Sequence, residues 1–232
     1  MIYNIYNKYN TVFKKSQVFS VKENCFMKIL LISAGTKANG STERAMEEAE
    51  KAIIRAGAEA KKFSLYATSM ATCSGCGGCS KSGRCVHDDE ATKLAELAPE
   101  FDGYIFFSPV HYAGAAGSLK SAMSRLFISK RASLEYKPAA AVTVARRGGN
   151  VTALEEITRF FTFASMPVVS GNYPGIIHGS CREDVEKDEE GLQTIRSIAE
   201  NMVWLINCIE AGKKAGYDRP TPEAKIKTSY IR

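Results

Sequence analysis

Five short apolar runs punctuate the chain, and between them apolar residues recur at helical spacing. Residues 28–33 (KILLIS) form the first run, apolar without interruption from Ile29 to Ile32, the pattern of a strand covered on both faces. Residues 60–65 predict a second, more polar strand, 104–108 a buried third, 139–145 a fourth and 167–170 a fifth. Helical periodicity predicts helices over 42–56, 90–97, 118–129, 153–164 and 191–211. The first of these has Ser41 or Thr42 as its cap and Gly57 just past its end. Strands alternating with helices throughout imply an α/β protein: a doubly wound, five-stranded parallel sheet with helices on both faces.

Such sheets bind ligands beyond the carboxyl ends of their strands, where the strand order reverses. The loop after the first run is built from Ser33, Ala34, Gly35, Thr36, Lys37, Ala38, Asn39, Gly40, Ser41 and Thr42, and it opens directly onto a helix. Backbone N–H groups, the helix N-terminus, four hydroxyls and the Lys37 ammonium give that loop the donors and charge to hold a phosphate. Neither GxGxxG nor GxxxxGK[ST] is present, which sets aside dinucleotide and triphosphate sites. A monophosphate such as that of FMN fits better, and an ordinary capped loop is the plain alternative.

Four cysteines fall within thirteen residues, Cys73, Cys76, Cys79 and Cys85, spaced Cx2Cx2Cx5C. Glycines in the run CSGCGGC let the backbone fold three sulfurs around a compact centre, and Cys85 can close it. A zinc ribbon pairs two knuckles far apart in sequence, and no second knuckle follows, so iron and sulfide suit the spacing better than zinc. One [4Fe-4S] cluster is the reading. Unligated or redox-active thiols, a labile disulfide pair, a relic motif and zinc stay open beside it.

Length and charge narrow the rest. At 232 residues the chain suffices for one well-buried domain, expected over 27–212, with extensions at 1–26 and 213–232. Residues 1–26 read as a disordered arm or as an upstream start that the cell does not use. Seven cysteines, three of them scattered (Cys25, Cys181 and Cys208), argue against a secreted disulfide framework and for a reducing cytoplasm. No apolar run reaches the length of a membrane span. The net charge of +6 is dispersed rather than gathered with aromatics, which gives nucleic-acid binding no support.

Taken together, the loop SAGTKANGST, the motif CSGCGGCSKSGRCVHDDE, the loop SPVHYAGAAGSLKSAMSR, and the segments VARRGGNVTALEEITRFF, MPVVSG and DEEGLQTIRSIAENM resemble the NADPH-dependent FMN reductase family of flavodoxin-like proteins, including its iron-sulfur flavoprotein branch. The resemblance runs from about residue 27 to 211. It implies one FMN per site and assembly as a homodimer or homotetramer. Carried over by position, Ser33, Thr36, Lys37, Asn39, Gly40, Ser41 and Thr42 clasp the FMN phosphate, and Pro109, Val110, His111 and Tyr112 line the isoalloxazine ring. Many relatives have Tyr where this chain has His111. After the fourth strand, Ala145, Arg146, Gly148 and Gly149 approach the ring, and Arg146 or Arg147 suits the extra phosphate of NADPH. Cys73, Cys76, Cys79 and Cys85 are the metal ligands. His87 and His178 are structural, and Asp88, Asp89 and Glu90 start a helix.

Three functions compete. The first is an FMN-dependent NAD(P)H oxidoreductase that passes electrons to a small acceptor such as a flavin, a quinone, or a nitro or azo compound. The second is an electron relay joining [4Fe-4S] and FMN, with a ferredoxin-type donor. The third is a thiol redox sensor.

Overall fold

In the computed structural model, which describes residues 27–66, 68–224 and 226–230, the first apolar run forms β1 (Lys28–Ser33), buried from its second residue onward. The run still alternates: Ile29 and Leu31 face one layer of core, Leu30 and Ile32 the other. There follow α1 (Ser41–Arg55), β2 (Glu59–Ser64), α2 (Gly78–Ser82), α3 (Glu90–Leu97), β3 (Gly103–His111), β4 (Gly114–Ala115), α4 (Gly117–Leu134), β5 (Ala139–Ala145), α5 (Asn150–Phe163), β6 (Ile176–His178), α6 (Arg182–Val185) and α7 (Glu189–Lys214). The extension expected over 1–26 lies outside the described residues.

Five strands pair in parallel in the order β2-β1-β3-β5-β6, the doubly wound order in which the chain reverses direction between β1 and β3. Side chains of α1 and α7 pack on one face, with Ile105, Phe107, Val142 and Val144 from the sheet. On the other face α3, α4 and α5 pack on Tyr104, Phe106, Ala139 and Ala141, where Phe106 and Phe161 meet at a centroid distance of 5.3 Å. The α/β sheet with helices on both faces is the one the sequence predicts. The polar strand β2 lies at an edge and turns Lys61 and Lys62 to solvent, which protects the edge from pairing.

Two features differ from expectation. The fifth strand is Ile176–His178, not 167–170, where the chain makes only an isolated bridge of Val168 to Ala139. The Ala139 N–H donates to Pro167 O (2.9 Å) and the Val169 N–H to Ala139 O (2.8 Å) before the chain loops out through Gly171, Pro174 and Gly175. It returns when the Thr143 N–H donates to Gly175 O (2.8 Å), so the expected strand is split by a loop that glycine and proline force. The second difference is β4, which folds back antiparallel on Val110 and His111 at the end of β3.

At its return the loop runs against β5: a Cβ on Gly175 would stand 2.2 Å from Ala141 O. Gly175→Ala is therefore expected to destabilise the protein by about 2 kcal/mol or more. The check is the urea unfolding midpoint, which is expected to fall while the slope stays constant.

Candidate functional site

Where β1 and β3 part, a cleft of ≈ 360 Å³ opens at their carboxyl ends. Thr36, Lys37, Asn39, Gly40, Ser41 and Thr42 form one wall, and Pro109 with Ser180, Cys181, Arg182 and Glu183 the other. Gly40 precedes α1 in an extended conformation, and no side chain caps the helix. The first N–H groups of a fifteen-residue helix are thus offered to the cleft together with the positive end of its dipole. A phosphate monoester fits this donor set, which combines backbone N–H groups, hydroxyls and one ammonium.

Ser33 does not line the cleft. It is fully buried, donates to Glu43 Oε1 at 2.5 Å and accepts from the Gly35 N–H at 3.1 Å, so it holds the loop from beneath. Gly35 is confined there, since a Cβ would meet Glu43 Oε1 at 3.2 Å and Thr42 Cβ at 3.3 Å. Arg182, which no sequence motif signals, closes the far side. Its guanidinium donates to Asn39 Oδ1 (2.8 Å) and forks onto both carboxylate oxygens of Glu47 (2.9 and 2.6 Å). Arg182 holds the Glu47 carboxyl below the usual range, with burial opposing.

The expected ring-binding loop is fixed at both ends. Ser108 Oγ accepts from the Ala116 N–H (2.9 Å) and donates to Pro109 O (2.8 Å), and Glu156 accepts from the Ala115 N–H (2.8 Å) and from Lys120 (3.3 Å). The Ala115 N–H is the main cause of a lowered pKa at Glu156; burial opposes it, and Lys120 adds to it. Pro109 and Val110 are half-buried, His111 and Tyr112 exposed, and Tyr112 and Ala113 take left-handed conformations (φ 47° and 61°). Ala145 is buried at the end of β5, and Arg146, Arg147 and Gly148 are exposed beyond it. Among the described residues neither arginine pairs with a carboxylate. Gly149 (φ +90°) serves a contact within the protein: a Cβ there would stand 2.7 Å from Ala113 Cα and 2.9 Å from Val110 Cγ1. It lets the loops after β3 and β5 touch, while Gly148 faces open space.

The cysteine segment lies in the crossover from β2 to β3. Cys73, Cys76, Cys79 and Cys85 are free thiols and line a single cavity of ≈ 130 Å³ together with Arg125 of α4. Gly75, Gly77 and Gly83 all have positive φ, the left-handed turns that bend the chain around this cavity. Among the described residues, no three His, Cys, Asp or Glu side chains converge closely enough to hold a single metal ion. The four thiols share this cavity with a buried cation, a donor set of soft sulfurs beside a positive charge.

Arg125 is 2% exposed. It donates to Ala71 O (3.2 Å), His87 O (3.1 Å), Thr92 Oγ1 (2.6 Å) and the Asp89 carboxylate (2.5 Å). Asp89 also caps α3, accepting from the N–H groups of Ala91 (3.1 Å) and Thr92 (3.3 Å), and from that of Ala71 (3.2 Å). Burial works against the Asp89 charge, yet Arg125 and these N–H groups hold its carboxyl below the usual range. Burial likewise pushes the Cys85 thiol up, but the His87 N–H, Arg125 and Thr92 outweigh it and leave the thiol more acidic than an ordinary cysteine. The sequence signal for Arg125 is a lone charge beside the apolar stripe of Leu119, Ala122, Met123 and Leu126.

A model of the NADPH-dependent FMN reductase family matches residues 27–181. An iron-sulfur flavoprotein of Methanocaldococcus jannaschii is 31% identical over 192 residues, which cover 79% of this chain and 100% of that protein. One of Archaeoglobus fulgidus is 26% identical over 188 residues, covering 76% and 96%. Two solved structures share the fold. RosB with a bound formylriboflavin phosphate intermediate has a TM-score of 0.63 at 13% identity, over 89% of this chain and 94% of that one. An apo NADH:FMN oxidoreductase has a TM-score of 0.56 at 15% identity, over 77% and 89%. By the family match and the iron-sulfur flavoprotein relatives, this chain belongs to the NADPH-dependent FMN reductase family, in its iron-sulfur flavoprotein branch, and is a flavin-dependent oxidoreductase.

Proposed function

We propose that the protein holds FMN in the cleft at the carboxyl ends of β1 and β3 and uses it to pass electrons from NAD(P)H to a small acceptor such as free flavin, a quinone, or a nitro or azo compound. The observation that carries this reading is an uncapped helix N-terminus sharing one cleft wall with Thr36, Lys37, Asn39 and Ser41. Those groups bind the phosphate and fix how far the flavin reaches along the sheet edge. The loop over residues 109–116, pinned by Ser108 and Glu156, orients the ring. FMN, when bound, supplies the chemistry, taking two electrons as a hydride equivalent and releasing them singly or in pairs. The chain contributes alignment and electrostatics, and no side chain of the cleft has to act as acid or base. Arg146 and Arg147, exposed after β5 and without a carboxylate partner among the described residues, suit the additional phosphate of NADPH.

A second reading extends the first. The relatives carry the name iron-sulfur flavoprotein, and here four free cysteines share a cavity with a buried guanidinium. Cys73, Cys76, Cys79 and Cys85 would hold a [4Fe-4S] cluster, which would supply one-electron exchange with a carrier such as ferredoxin beside the two-electron chemistry of the flavin.

Ser41→Ala is expected to weaken FMN binding about tenfold, about 1.4 kcal/mol, and to leave riboflavin binding unchanged. Fluorescence titration with both ligands tests this, and equal losses for the two would move the phosphate elsewhere. Replacing Arg146 and Arg147 together by alanine is expected to raise KM for NADPH about tenfold with NADH unaffected. Stopped-flow bleaching of the flavin by each nicotinamide measures it, and no bleaching by either rejects the nicotinamide donor. In Cys76→Ala, iron and sulfide are expected to be lost while flavin content stays at the wild-type level; unchanged iron would reject the cluster site.

A further inference from the structure

Among the described residues, the buried side-chain nitrogen or oxygen left without a hydrogen-bond partner is Nε of Arg125. Both terminal nitrogens of this guanidinium are engaged, one by Ala71 O and Asp89, the other by His87 O and Thr92 Oγ1. An unpaired N–H at a residue 2% exposed loses its hydration with no bond in return, so a fold that otherwise satisfies the group so fully has a use for the remaining donor. Arg125 lines the cavity that Cys73, Cys76, Cys79 and Cys85 share with Ser74, Ser80 and Ser129, and among the four sulfurs it is that of Cys85 whose acidity the guanidinium raises.

We propose that Arg125 is a positioning residue for the reduction potential of the cysteine-bound cluster: its Nε–H donates to sulfur at Cys85 or to a neighbouring cluster sulfide, and its charge, partly offset by Asp89, favours the reduced state. This rests on the cluster reading above. Reduction adds one electron to a centre already anionic through four thiolates. A hydrogen bond and a cation beside the sulfurs stabilise the added charge more than the original one, and burial limits screening. Asp89, 16% exposed and paired to the same guanidinium, acts in the opposite sense.

The test uses holoprotein purified anaerobically, with iron, sulfide and flavin quantified and the cluster potential read by an EPR-monitored redox titration. In Arg125→Gln the cluster's reduction constant is expected to fall at least tenfold, about 59 mV for a one-electron couple. Asp89→Asn is expected to move it upward, Arg125→Lys to lie between wild type and Arg125→Gln, and the flavin potential to stay fixed in all three. A fully loaded Arg125→Gln protein at the wild-type potential would overturn the proposal. So would Arg125→Gln and Asp89→Asn moving the same way, since that marks general loosening of the loop. Should Arg125→Gln fail to load, opposite displacements in Arg125→Lys and Asp89→Asn decide in its favour and parallel ones against it. Wild-type protein with flavin but no iron or sulfide would sink the cluster reading itself; loaded wild type with unmoved variants sinks only the role of Arg125.

Discussion

A parallel sheet buried on both faces has one consequence from which the rest of this molecule follows: no charged group can sit along the central strands. β1, β3 and β5 are buried over almost their whole length, and each large side chain removed from water contributes about 1.5–3 kcal/mol. Of the charged residues only Lys28 lies in these three strands, at the start of β1, and the buried hydroxyls of Tyr104, Ser108 and Thr143 are spent on bonds within the fold; because the strands point the same way, the loops after β1, β3 and β5 gather at one edge. The cleft beside Ser41 and the loop over 109–116 are therefore neighbours by topology, and both spring from buried strands.

The cysteine segment has no such foundation. It belongs to the crossover between β2 and β3, is largely exposed, and places few apolar side chains in the core. Its organisation is polar instead. Arg125 binds Ala71 O on one side of the motif and His87 O on the other, and Asp89 ties the same guanidinium to the cap of α3. A charge so deeply placed is costly to strip of its partner, about 3–5 kcal/mol, so the loop is held in shape by the penalty of opening it. The exposed Val86 and the left-handed Gly75, Gly77 and Gly83 contribute direction rather than adhesion.

What the sequence makes legible is what depends on neighbours along the chain. The KILLIS run, the hydroxyl-rich loop behind it and the cysteine spacing are all local patterns, and they lead to the sheet, the cleft and the cavity. The residues that complete those sites are distant in sequence. Arg182 reaches Asn39 and Glu47 across more than a hundred residues, and Glu156 reaches the Ala115 N–H across forty-one. No periodicity encodes such contacts. Ser33 misleads for a related reason: the loop composition includes its hydroxyl among the phosphate donors, but as the last residue of β1 it points inward to Glu43. The fifth strand is misplaced because only three residues pair at Ile176–His178, too few for alternation to register, whereas MPVVSG has the better β composition.

One element touches both sites. Helix α4 leaves the loop over 109–116 at Gly117 and carries Arg125 eight residues later into the wall of the cysteine cavity. At 1.5 Å per residue the two points are about 12 Å apart along a continuous hydrogen-bonded rod. The gap is therefore set by helix pitch, and loop motion at either end leaves it unchanged. Whatever the two regions exchange must therefore cross a separation that the helix itself holds, and substitutions along α4 that keep it helical leave that separation intact.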